Sequence, residues 1–114
     1  MSTIPSGFAS VLYDNSDRAA RLERIRAERA RNAAVHGLRS SARYLAQNWF
    51  TEDFAIHWLS GQHVMLAPFW TALTGELRER MERAAEDLEL VEPGARAQAS
   101  MLLHQVADLL ETAQ

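Results

Sequence analysis

The most constraining feature of this chain is an apolar stripe in its second half. Trp70, Leu73, Leu77, Met81, Ala84, Leu88 and Val91 recur at intervals of 3, 4, 4, 3, 4 and 3 residues. That rhythm follows the 3.6-residue turn of an α-helix and cannot line one face of a strand, where side chains alternate every second residue. Pro93-Gly94 then interrupts the pattern, and a second stripe follows on Ala95, Ala99, Leu102, Val106, Leu109 and Ala113, widened by Leu103 and Leu110. Two helical stripes joined by so short a turn predict an antiparallel helical hairpin, over about 65–92 and 95–113. Glu76–Arg80 and Glu79–Arg83, each four residues apart, brace the outer face of its first helix. Gly75 lies off the stripe, and in a helix interior it costs about 1 kcal/mol relative to Ala.

Upstream, Ser16 or Asp17 suits an N-cap, and the helix so begun runs through DRAARLERIRAERARNAAV. Asp17–Arg21 and Glu28–Arg31 place opposite charges on one helical face. Leu22 and Ile25 share one side of this helix, while Leu38, Ala42, Leu45 and Trp49 share another that points nearly the opposite way. Either the helix is interrupted at His36-Gly37 or the two stripes meet different neighbours, the first as a protruding segment that swaps onto a partner. A short helix, FAIHWL, is expected after Thr51-Glu52-Asp53, where a hydroxyl cap is followed by acids favourable to the helix dipole, and it stops at Ser60-Gly61. The expected architecture is all-α: an N-terminal arm over residues 1–15 and a single small bundle of three to five helices over 16–114. At 114 residues the chain is one domain's length and needs no disulfide or metal to fold.

Composition narrows the functional classes. With no cysteine, there is no disulfide framework, which suits a reducing cytoplasm. The uninterrupted apolar run from Val64 to Trp70 is far shorter than the ~20 residues that span a bilayer, and residues 1–7 carry no signal-peptide pattern. A cytoplasmic protein without a membrane partner is expected. Residues 1–50 hold eight Arg against four acids (+4), and residues 51–114 hold four Arg against eleven acids (−7). Every one of the twelve Lys/Arg positions is Arg, which with the Ala-rich composition is what a GC-rich bacterial or phage genome yields. Arg18, Arg21, Arg24, Arg26, Arg29 and Arg31 spread around the helix with Glu23 and Glu28 between them, instead of forming the basic stripe that reads a nucleic-acid groove. Nucleic acid is therefore not the expected partner; an Arg-helix binder stays as a rival reading.

No catalytic constellation is visible. There is no Cys nucleophile, no Gly-x-Ser-x-Gly setting and no Gly-rich phosphate loop, and Glu86-Asp87 belongs to a charged face that would not raise a carboxylate's pKa. Neither an enzyme nor a cofactor is expected. Asp53 and His57 lie four residues apart, and His63 follows on the next turn, a weak candidate set for a divalent ion. The conspicuous concentration is aromatic: Trp49, Phe50, Phe54, Trp58, Phe69 and Trp70 fall within 22 residues, together with His57 and His63. Such a cluster is either a core hub or a contact surface. Adjacent pairs such as Trp49-Phe50 and Phe69-Trp70 are ~100° apart on a helix and do not all face inward. The resulting expectation is a non-enzymatic protein–protein interaction module, of accessory, assembly or inhibitor type, that forms a homodimer. Its contact residues would be Trp49, Phe50, Trp58, Phe69 and Trp70, with Arg21, Arg39 and Arg43 as polar anchors. The alternative is a small-ligand or metal binder built on the same aromatic and histidine cluster.

Overall fold

The computed structural model describes residues 6–47 and 52–112, with side chains from residue 16 onward in the first of these stretches. Among the described residues there are four α-helices, α1 Ser6–Ala46, α2 Glu52–Leu59, α3 Gly75–Glu89 and α4 Ala95–Thr112, with a 3₁₀ helix, Ala67–Ala72, between α2 and α3. The protein is all-α, and no strand occurs among the described residues. It forms two compact units, Met1–Ala30 and Arg31–Gln114, the second of which is a small helical bundle.

Helix α1 begins at Ser6 rather than near Ser16 and passes His36-Gly37 without a break. The physical reason is the lack of any breaker: no Pro or Gly stands between Gly7 and Gly37, so a capping residue at Ser16 or Asp17 has no start to cap. A single helical glycine lowers stability without ending the helix. Gly37 has a packing role instead, because a Cβ there would sit 2.7 Å from Cζ2 and 3.0 Å from Cη2 of Trp58.

The bundle's core is built on Leu38, Leu45, Trp58, Leu59, Leu66, Met81, Leu103 and Val106, all essentially inaccessible to solvent. Small residues let helices approach closely: Ala34, Ala42, Ala99 and Ala107 are fully buried. At one such approach the Ser100 hydroxyl donates a buried hydrogen bond of 2.7 Å to the Ala42 carbonyl, tying α4 to α1. Arg96 adds a second tie, with Nε donating to the Leu45 carbonyl at 3.1 Å and Nη1 to Glu52 Oε1 at 2.6 Å.

The helix expected from about residue 65 to 92 is two elements. Pro68 opens the 3₁₀ helix, Leu73 turns extended (ψ 147°), and α3 starts at Gly75 behind an N-cap, Thr74, whose Oγ1 accepts the Leu77 N–H at 3.2 Å. Trp70 and Leu73 therefore precede α3, and Gly75 is its first residue, where the propensity cost of an interior glycine does not apply. The Leu77, Met81, Ala84 and Leu88 part of the stripe does face the core. It ends there, because α3 terminates at Glu89 and Val91 is 77% exposed. Val91 takes φ +53°, Val91 N–H bonds to the Leu88 carbonyl and Glu92 N–H to that of Asp87, the pattern of a Schellman cap. A β-branched residue in this left-handed conformation is strained. Pro93-Gly94 leads into α4 instead of closing α3. On α4, Leu110 is buried while Leu109 is 40% exposed, so the buried face is centred slightly off the expected stripe.

Candidate protein-interaction surface

The second end of α2 builds a small apolar platform. Ser60-Gly61 stops the helix as its sequence implies: Gly61 has φ +76°, its N–H bonds to the Trp58 carbonyl, and the Gln62 N–H to that of His57. This second Schellman cap turns the chain so that His63 folds back over the helix. Its imidazole stacks on the Trp58 indole, centroids 3.7 Å apart and planes within 7°. The phenyl ring of Phe54 stands 6.5 Å from the imidazole at a tilt of 47°. His63 Nδ1 accepts the Met65 N–H at 3.2 Å, which fixes the next turn and requires that nitrogen to be unprotonated. Burial, with a smaller contribution from the nearby His57, holds the His63 pKa below the ordinary histidine value.

Around this base three large apolar side chains face solvent: Phe54 at 52%, Val64 at 77% and Met65 at 45% exposure. Two follow His63 directly in sequence and the third meets its ring, so the three share one locality. The stacked Trp58–His63 pair anchors the segment that carries two of them to α2.

The expected contact residues separate into distinct fates. Trp58 is 2% exposed and belongs to the core, so its role as a surface contact is corrected: Gly37 leaves room for the indole and His63 covers it. Phe69 and Trp70 are half-buried against the core. Trp70 fills the space above Gly61, where a Cβ would meet its ring at 2.5 Å. Trp49 and Phe50 lie outside the described residues. Arg39 is engaged within the bundle: its Nη2 donates to Asp108 at 2.6 Å and Glu111 at 2.8 Å, and Nη1 lies 3.3 Å from His104 Nδ1. Hydrogen bonds to Glu111 and Asp108 raise its pKa further above an already high value. Arg21 Nε lies 3.4 Å from Asp17, one turn back on the same helix. Arg43 is exposed in the last turn of α1.

The metal-ligand set does not assemble: among the described residues no three His, Asp or Glu side chains gather as a coordination group. Asp53 and His57 are exposed on α2, while His63 is held by stacking and by the Met65 N–H. Among the described residues no helix is long and apolar enough to cross a membrane.

Sequence reasoning missed Val64 and Met65. They open the apolar run from Val64 to Trp70, and of its first three residues only Leu66 is buried. The stop at Ser60-Gly61 is legible in the sequence, but not the way its Schellman turn reorients the residues that follow it. No protein-family model, curated protein or solved structure matches this chain.

Proposed function

We propose that this protein is a non-enzymatic helical interaction module that docks a protein partner through Phe54, Val64 and Met65, and that it also self-associates. The observation that carries the docking reading is the exposure of these three side chains, two next in sequence to His63 and one 6.5 Å from its ring, where His63 stacks on Trp58. Clustered exposed apolar groups mark contact sites. Aromatic residues and Met are enriched in such contacts, and a pre-ordered base reduces the entropy lost on binding. The aromatic concentration in the sequence thus has a divided role: Trp58 anchors the turn and Phe54 supplies part of the surface. An accessory, assembly or inhibitor role is the kind of role such a surface would serve.

The test is site-specific photocrosslinking in cells with a photoreactive residue at position 64, and a control at Glu79, an exposed position on α3. The expected result is a discrete adduct at position 64 that disappears when Met65→Asp is added, and none at position 79. Val64→Asp should leave folding stability within about 0.5 kcal/mol, as for a surface substitution. Equal crosslinking at 64 and 79, or none at 64, contradicts the reading.

A further inference from the structure

The N-terminal part of α1 carries an unexplained pattern. Every residue from 16 to 30 is exposed, including Leu22 at 45% and Ile25 at 41%. Helices in water draw most of their stability from packing an apolar face, not from propensity. Leu22 and Ile25 are three residues apart, and the seven-residue repeat they belong to runs back through positions 8, 11, 15 and 18 of the same continuous helix. In sequence these are Phe8, Val11, Asn15 and Arg18. The seam is thus apolar at both ends and polar in the middle.

Such a seam is complementary to itself when reversed. We propose that residues 8–25 of α1 pair antiparallel with the same stretch of a second copy of this chain. This rests on the self-association half of the proposed function and gives it a segment and a direction. With the two helices centred between Ser16 and Asp17, Phe8 lies opposite Ile25 of the second copy, Val11 opposite Leu22, and Asn15 opposite Arg18. The flanking register positions agree: position 12 comes level with position 19, and position 14, an Asp, with position 21, an Arg, of the second copy, a match of opposite charges that the symmetry makes twice. The link of Arg21 to Asp17 joins two side chains that are each 59% exposed, so it holds Arg21 only weakly. The parallel arrangement is disfavoured by charge. In register it sets Arg18 against Arg18 inside the seam and Arg21 beside Arg26 on its flank. At 1.5 Å per residue the paired segment is ~27 Å long.

The chain has no cysteine, so introduced thiols report the arrangement without interference. Full-length protein carrying Val11→Cys is mixed with full-length protein carrying Leu22→Cys under mild oxidation. Antiparallel pairing predicts that the mixed 11–22 disulfide dimer dominates over 22–22 and 11–11 species by at least tenfold. In sedimentation equilibrium, Asp14→Arg weakens the dimer at least tenfold, and adding Arg21→Asp to it restores affinity to within about threefold. Dominant 22–22 and 11–11 disulfides, or equal effects of the single and double charge variants, overturn the proposal. Val64→Asp with Met65→Asp must leave the dimer unchanged. If those two abolish it while the α1 variants do not, self-association occurs at the α2 turn, and this inference fails while the interaction reading stands. A wild-type chain that sediments as a monomer up to millimolar concentration overturns self-association altogether, leaving the docking surface to its own crosslinking test.

Discussion

One helix, α1, has two halves of very different character. Over residues 16–30 every side chain is exposed, and the charged residues Arg18, Glu23, Arg24, Arg26, Glu28 and Arg29 alternate around Leu22 and Ile25. Past residue 31, Ala34, Leu38, Ala42 and Leu45 are completely buried at spacings of 4, 4 and 3. Backbone geometry is the same in both; side-chain pattern decides which half is core. A four-residue rhythm of Ala and Leu lets α4 approach closely enough for Ser100 to reach the Ala42 carbonyl. The Arg-rich half holds a narrower apolar seam, of the kind two helices share rather than the broad face a bundle buries.

This contrast breaks if Leu22 and Leu38 behave alike. Leu38→Ala should cost about 2–5 kcal/mol of bundle stability by opening a cavity in a fully buried site. Leu22→Ala, measured by urea unfolding of dilute protein, should cost less than about 0.5 kcal/mol. Gly37→Ala is the next largest effect. Ala improves intrinsic helicity by about 1 kcal/mol, but its Cβ would drive into the Trp58 ring, and overpacking of a filled core costs about 1–3 kcal/mol. A net loss of stability with altered tryptophan fluorescence is expected; a gain would show that the indole yields freely.

Two smaller effects sharpen the picture. Val91→Gly should raise bundle stability by up to about 1 kcal/mol, by relieving the left-handed strain of a β-branched residue. It should leave self-association unchanged, since Val91 lies outside the α1 seam. The smallest effect is on pH dependence. His63 binds a proton less readily folded than unfolded, so as pH falls below the ordinary histidine value of 6.5 the unfolded chain takes up protons first. Stability therefore declines with falling pH from 6.5 down to the folded-state value, and His63 contributes nothing to pH dependence above that window. Unfolding midpoints measured from pH 7.5 to 5 should show a shallower slope for His63→Gln than for the wild type.

Much of this arrangement was legible in the sequence. The all-α class, the stop at Ser60-Gly61 and the core roles of Leu77, Met81, Leu88, Leu102 and Val106 follow from periodicity and turn chemistry. The start of α3 was not legible, because the three-residue step from Trp70 to Leu73 suits a 3₁₀ turn as well as an α-helix. Thr74 and Gly75 carried the true boundary, a cap followed by a first position that tolerates glycine. The end of α3 was hidden for the opposite reason: Val91 occupies a cap position usually taken by glycine, so its spacing reads as one more stripe residue. Trp58 illustrates the limit for site residues. Spacing along one helix does not distinguish a core tryptophan from an interface one, and its burial depends on Gly37 and His63, which lie 21 residues before it and five after it in sequence.

The most direct test of the division within α1 is amide hydrogen exchange at two protein concentrations. The account predicts that amides around Leu38, Ala42 and Leu45 are protected to the level of global unfolding at both, whereas amides of residues 16–25 gain protection as concentration rises. Equal, concentration-independent protection along the whole of α1 would contradict it.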